Sequence, residues 1–282
     1  MQIINILKVK DHAVSGEQFD LIKNQTYGFL ETVPQPTKHN LSAYYKSENY
    51  ISHTDSRRNL FEKAYHIIRS FTLRNKQKLI NSYNFKEKRL LDIGCGTGDF
   101  LKAAQDKHWL ISGIEPNEDA RTIANLKTNN RVFSSDQLLK FDKHSFDVIT
   151  LWHVFEHLPD LVHHVAIFKR LLKKEGVLII GAPNYKSFDA DYYQEYWAAY
   201  DVPRHLWHFD QKAMGMLFEK QDMKICDTHP MKFDAYYVSI LSEKYKSGKM
   251  NLIKALFVAF LSNINAWRTG EYSSLTYIIK NN

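Results

Sequence analysis

Arg89–Leu101 reads RLLDIGCGTGDFL, an apolar run carrying one acid, Asp92, followed by glycines at 94, 96 and 98. Glycine accepts positive φ and leaves no side chain between backbone and ligand, so the stretch reads as a strand that bends sharply into a helix against something bound. A dinucleotide fingerprint has the spacing G-x-G-x-x-G, and here Asp99 stands where the third glycine belongs. Asp92 is the sharper objection to a diphosphate. A carboxylate at the carboxyl end of a strand repels a polyanion and suits a ligand that carries an ammonium and a sulfonium. Glu115 follows about twenty positions after the first glycine, the spacing at which an acid grips ribose hydroxyls in such folds. A carboxylate accepts two hydrogen bonds from a vicinal diol. A bare bend flanked by Asp92 and Glu115 therefore points to S-adenosylmethionine as cofactor.

Outward from this bend the pattern repeats. Strand-like runs at 89–93, 110–115, 131–134, 146–152 and 177–182 alternate with helical patterns at 98–108, 117–128 and 160–176, the last ending at Gly176 as a C-cap. This alternation predicts a doubly wound, mostly parallel α/β sheet, which SSLTYIIK (273–280) completes as a last strand. Before it, residues 1–55 read as an irregular or small β appendage. Residues 56–85 read as a helical cap, with Leu60, Ala64, Ile67, Ile68 and Phe71 at helical spacing. The rest, 86–282, is the binding domain, and its aromatic stretch 184–210 is expected to be a lid over the site. A helix is expected from about Asp210. LIKALFVAFLSNINAW (252–267) is apolar, but its uncharged part is too short to cross a bilayer, so it reads as a core or dimer-interface helix.

Four motifs in order, LLDIGCGTGDFL, GIEPNEDA, FDVITLWHVFEHLPD and GVLIIGAPN, make the chain resemble a class I S-adenosylmethionine-dependent methyltransferase of seven-stranded, Rossmann-like fold. The branch it resembles most is that of the ubiquinone-biosynthesis O-methyltransferases. The resemblance implies that Asp92, Gly94 and Gly96 line the methionine part and Glu115 holds the ribose. It also implies that Ser135 and Asp136 border the adenine, and that Trp152 and His153 close the pocket. In the quinone enzymes the fourth-strand motif E-x-x-E-H can hold a divalent metal. Here it reads His153, Glu156, His157 without the first acid, so no metal is expected. The N-terminal turns at His12, Ser15, Gly16 and at Asn24, Tyr27, Gly28 have the spacing of a zinc knuckle but no thiolates, and are expected to fold without metal.

Transfer to a hydroxyl needs a proton acceptor, and His153 and His205 are the candidates. Arg204 either meets an anionic acceptor or ties the aromatic stretch to the core. Tyr192, Tyr193, Tyr196, Trp197 and Trp207 either stack on an aromatic, quinone-like or sugar-containing acceptor or form their own packing core. A non-catalytic adenosyl-binding module of the same fold is the alternative to an enzyme acting on a small molecule. The 282 residues carry a formal charge of +7, spread along the chain with no nucleic-acid-binding module, so no nucleic-acid partner is expected. Two cysteines, Cys95 and Cys226, make no disulfide framework, and the first residues lack a secretory pattern. Both features predict a cytoplasmic protein.

Overall fold

The computed structural model describes residues 5–37, 40, 44 and 60–282, without the side chains of 5 and 60–69. Much of 38–59, and the side chains of Leu60, Ala64, Ile67 and Ile68, therefore lie outside the described residues. Strands β1 (Asn5–Lys10), β2 (Gln18–Lys23) and β3 (Leu30–Val33) pair antiparallel through two turns. Asp11 closes the first turn by accepting the backbone N–H groups of Ala13, Val14 and Ser15. The side-chain oxygen of Asn24 closes the second by accepting those of Thr26 and Tyr27. Gly16 and Gly28 supply the positive φ of each turn.

Helix α1 (Leu60–Asn81) leads into the main sheet. There β4 (Arg89–Ile93), β5 (Leu110–Ile114), β6 (Val132–Phe133), β7 (Phe146–Trp152) and β8 (Leu172–Pro183) run parallel. The connections carry α2 (Asp99–Gln105), α3 (Glu118–Thr128) and α4 (Leu161–Leu171). After β8, α5 (Phe188–Tyr193) and two short 3₁₀ turns reach β9 (Trp207–His208), which joins β3 as the fourth strand of the small sheet. The chain finishes with α6 (Gln211–Glu219), β10 (Met223–Pro230), α7 (Asp234–Ser247), α8 (Leu252–Thr269) and β11 (Ser274–Asn281). The large sheet has the order β10-β11-β8-β7-β4-β5-β6, and β11 is its one reversed strand.

Alternate residues of the parallel strands feed opposite faces. Leu91, Ile93, Ile149, Leu151 and Ile180 pack under α4 and α6, whereas Leu90, Val148, Val177 and Ile179 pack under α1, α2 and α3. This two-sided burial is what makes their sequence nearly continuous apolar runs. One boundary differs from expectation. α4 stops at Leu171 and Gly176 lies inside β8. The pairing jumps from Phe146↔Leu172 to Val148↔Val177, so the polar residues Lys173–Gly176 form a bulge between two buried anchors.

The aromatic stretch is packed rather than held open. Tyr193, Trp197 and Tyr200 are buried with Val9, Phe19, Leu21 and Leu30 of the small sheet and with Val238 and Val258 of α7 and α8. In this conformation Tyr193 and Trp197 pack with the small sheet rather than face an acceptor, the second of the two readings their sequence left open. Arg204 resolves to its tying role. Its guanidinium donates to both oxygens of Asp201 at 2.6 and 3.0 Å, to Asp11 at 3.2 Å and to the Tyr44 carbonyl at 3.0 Å. Asp189 does the same deeper inside, accepting from Trp197 Nε1 (2.7 Å), Ser262 Oγ (2.7 Å) and Ser273 Oγ (2.6 Å).

Removing Asp189 leaves three buried donors unsatisfied at about 1–3 kcal/mol each, less what the hydroxyls recover by rotating. Asp189→Ala should therefore lower the unfolding free energy by roughly 3 kcal/mol, measured as a shift of the urea midpoint. A change within ~0.5 kcal/mol, the range of ordinary surface substitutions, would show that these donors find other partners.

Candidate active site

The order of the sheet reverses between β4 and β7, and ligands of open α/β sheets bind at that place, beyond the carboxyl ends of the strands. The glycine bend lies there. Gly94 and Cys95 both donate their N–H to the Ile114 carbonyl, at 2.8 and 3.1 Å, which folds the bend over the end of β5. Gly98 begins α2 with φ 80°, and a Cβ on it would lie 2.9 Å from Ala124 Cβ of α3. A Cβ on Gly96 would meet no atom within 4 Å, so bare backbone faces open space there. Burial and the neighbouring charges of Asp92 and Glu115 push the Cys95 thiol up, far from thiolate chemistry.

Asp92 is buried and pairs across the sheet with Thr150, whose hydroxyl donates to Asp92 Oδ1 at 2.6 Å. Burial pushes its pKa up to about 7, opposed by that hydrogen bond and by the charge of Lys76. Glu115 is also buried. Its Oε2 accepts from the Gly96 N–H at 2.8 Å and its Oε1 from Asn117 N–H at 2.9 Å, so each oxygen keeps a lone pair for another donor. Burial raises its pKa as well, against those two backbone bonds.

Lys76 of α1 reaches over the Trp152 ring, 4.4 Å from its centroid. Burial lowers its pKa to about 8, while the charges of Asp92 and Asp234 act to raise it. A cation thus already occupies the acidic neighbourhood in which a sulfonium or ammonium would rest. Trp152 also meets Phe100 edge to face at 5.9 Å, and its buried Nε1 has no hydrogen-bond partner. An unsatisfied buried donor is what a polar ligand would complete. These residues fit an adenosyl cofactor. Asp136 differs in kind. It is exposed on the turn after β6, accepts from Ser134 Oγ and pairs with Lys140 at 2.5 Å, which hold its pKa near 2.

A second group of ionisable side chains follows β7. His153 follows β7 with φ 55°. Its Nε2 is 2.9 Å from Asp234 Oδ2 of α7 and its Nδ1 is 3.6 Å from Glu156 Oε1. Burial works to lower its pKa, but the two carboxylates prevail and raise it to about 10. His205 lies on the other side of Glu156, with Nε2 3.9 Å from Oε1, and its Nδ1 donates to the Ala199 carbonyl at 2.9 Å. Burial and the neighbouring His157 lower its pKa to about 4, so it is neutral. His157 donates from Nδ1 to the Arg204 carbonyl at 3.0 Å, which leaves the Nε2 lone pair of its neutral form facing inward. Glu156, His157 and His205 bring three ligand atoms within 4.8 Å of one another, and the Glu156 oxygens are buried without a hydrogen-bond donor. This donor set can hold a divalent cation, and one carboxylate with two imidazoles is a zinc-type combination.

The bend therefore unites Asp92, Gly94, Gly96 and Glu115, and His153 and His205 meet through Glu156. Asp136 stands apart on the surface. Lys76, Thr150 and Asp234 were not singled out from the sequence. Thr150 had a signal, since it is the polar residue of β7 that alternation places beside Asp92. Lys76 and Asp234 sit in ordinary amphipathic patterns and have none.

Several known proteins are similar to this chain. Residues 57–227, more than half of the chain, match the family model described as a methyltransferase domain. A ubiquinone/menaquinone biosynthesis C-methyltransferase of Campylobacter jejuni is 27% identical over 113 residues, covering 37% of this chain and 48% of that protein. A ubiquinone biosynthesis O-methyltransferase of Hydrogenovibrio crunogenus is 26% identical over 114 residues, covering 37% and 47%. The chain thus spans about half the length of these relatives. Among solved structures, magnesium protoporphyrin IX methyltransferase from Synechocystis superposes with TM-score 0.58 at 13% identity, covering 87% of this chain and all of that one. An S-adenosylmethionine-dependent methyltransferase from Archaeoglobus fulgidus superposes with TM-score 0.51 at 17% identity, covering 79% and all of its own chain. With the sheet order, the glycine bend and the matched 57–227 segment in agreement, the chain belongs to the methyltransferase-domain family, in the class I S-adenosylmethionine-dependent group.

Proposed function

We propose that this protein transfers the methyl group of S-adenosylmethionine to a small-molecule acceptor, with oxygen as the atom methylated. The observation that carries the reading is the pair of buried carboxylates, Asp92 and Glu115, flanking a glycine with open space before it. When bound, the cofactor supplies an electrophilic methyl on a positively charged sulfur. Asp92 would face the cofactor's positive end, its charge completed when that cation replaces the Lys76 ammonium. Glu115 would accept from the ribose hydroxyls while its backbone bonds keep it aimed. Trp152 shields the site from water on the α2 side, which strengthens each of these charges.

An acceptor hydroxyl must also lose its proton. In this conformation both nitrogens of His153 face carboxylates, so its cation favours an acceptor oxyanion rather than taking a proton. An acceptor that displaces Asp234 would remove the nearer of the two carboxylates, the one that acts more strongly on His153, and bring that imidazole into the range of a general base. This coupling of a charge switch to an ionisable acceptor favours oxygen over carbon. His205 and Glu156 position His153 from behind.

Affinity for S-adenosylmethionine should follow the charge on Asp92. Its carboxylate binds the cation, so affinity should rise with pH up to about 7 and level off above. Asp92→Asn should weaken binding by roughly tenfold to a hundredfold, the scale of a lost charge-assisted hydrogen bond, and should flatten this profile. Calorimetry from pH 5.5 to 8.5 checks both, and a preference for a nicotinamide dinucleotide would sink the assignment.

His153→Ala should lower transfer of labelled methyl to a metabolite extract by about 10²–10⁴, the usual share of acid–base catalysis, with cofactor affinity unchanged. His205→Asn should lower transfer less and shift its pH profile. If wild type binds the cofactor but labels nothing in the extract, the non-catalytic adenosyl-binding reading takes precedence.

A further inference from the structure

Helix α8 turns its larger side chains outward. The residues it buries are small, Ala255, Val258, Ala259, Ser262 and Ala266, where the helix lies close to α5 and α7. Besides Leu252 at its first position, the exposed ones are Ile253, Leu256, Phe257, Phe260, Ile264 and Trp267, with Ile253 at 85% and Trp267 at 84% exposure. At 100° per residue these six fall within an arc of about 100° and extend ~21 Å along the axis. A contiguous exposed stripe of this size on a folded protein marks an interaction surface.

The charges around the stripe say what covers it. From Lys244 to Thr269 the chain carries Lys244, Lys246, Lys249, Lys254 and Arg268 and no acid. Lys254 is bridged to Glu243 at 3.1 Å, whereas Lys244, Lys246, Lys249 and Arg268 are exposed at the two ends of the helix. A second copy of the chain would set these cations against their own images. An anionic lipid surface would neutralise them and accept the isoleucine, phenylalanine and tryptophan side chains between its headgroups. Among the described residues no helix is long and apolar enough to cross a membrane, so the contact lies in the plane of the surface.

We infer that α8 and the basic turn before it form an interfacial docking face for an anionic membrane. The helix lies flat, its aromatic and aliphatic stripe enters the headgroup region, and Lys246, Lys249 and Arg268 flank it on the lipid phosphates. The small residues beneath let it stay seated on α5 and α7 while doing so.

Full-length protein mixed with vesicles of phosphatidylcholine and 30% phosphatidylglycerol (a proportion of roughly the order that gives strong surface potentials) should pellet with them at low salt. Pelleting should fall at high salt and with pure phosphatidylcholine. Phe257→Ser with Phe260→Ser, both at exposed positions, should weaken the association at least ~10-fold with an unchanged melting temperature. Lys246→Glu with Lys249→Glu should weaken it and remove most of its salt dependence. As an independent reading, brominated lipid should quench tryptophan fluorescence in wild type and clearly less in Trp267→Phe. Absence of pelleting with anionic vesicles, or equal pelleting by the Phe257/Phe260 variant, overturns the inference. So does self-association in sedimentation that the same variant abolishes without any vesicle binding, because the stripe would then belong to a second copy.

Discussion

A Cβ on Gly94 would lie 2.4 Å from Val154 Cγ2, so a methyl group there would force apart the loops that follow β4 and β7. The carboxyl edge of the sheet is assembled around that close approach. It allows the Gly94 and Cys95 N–H groups to reach a single carbonyl at the end of β5, and it brings Gly96 onto Glu115. On the other side it places His153 and the Phe155–His157 turn against the same bend. The glycine bend and the His153–Glu156 group are thus joined through one missing side chain, because the Val154 side chain fills the space that a Cβ on Gly94 would need.

The site gathers acid in a basic protein. Asp92, Glu115, Glu156, Asp201 and Asp234 converge on the carboxyl edge of a chain with formal charge +7. Each buried carboxylate is costly unless something answers its charge. Asp92 has a hydroxyl and a lysine, Glu115 has two backbone N–H groups, and Asp201 has a bidentate arginine. Glu156 has imidazoles at 3.6 and 3.9 Å and no hydrogen bond, which leaves it the least satisfied group of the set. The compensation is complete where it holds the fold and partial where chemistry is expected. That distribution is the usual mark of a functional site against a purely structural ion-pair network.

The parallel sheet was legible because both of its faces are buried, which writes each strand as an apolar run punctuated by glycine and helix caps. Asp92, the bend and Glu115 were legible because their chemistry is local to the strand ends. The ending of α4 was not. Lys173–Gly176 looks like a solvated helix end followed by a glycine cap, and only the pairing of Leu172 with Phe146 reveals the bulge. For the aromatic stretch two readings stayed open, because composition does not tell a ring that waits for a ligand from one that meets β1 and β2. Nor could spacing tell that Lys76 and Asp234, from α1 and α7, face the bend, since each lies in a helix whose own periodicity is satisfied without them.

Helix α8 shows the same limit in another form. An apolar sequence of that length offers two stripes, and hydrophobicity alone favours burying the larger one. Geometry decides otherwise. α5 and α7 approach closely, Ser262 must reach Asp189 at 2.7 Å, and only Ala255, Ala259, Ser262 and Ala266 are small enough to let the backbone come that near. Once those residues face inward, helical periodicity turns Phe257, Phe260 and Trp267 outward. The hydrogen bond that fixes the helix on Asp189 is therefore also what exposes its apolar face. The inner core and the outer surface of this part of the protein follow from one buried carboxylate.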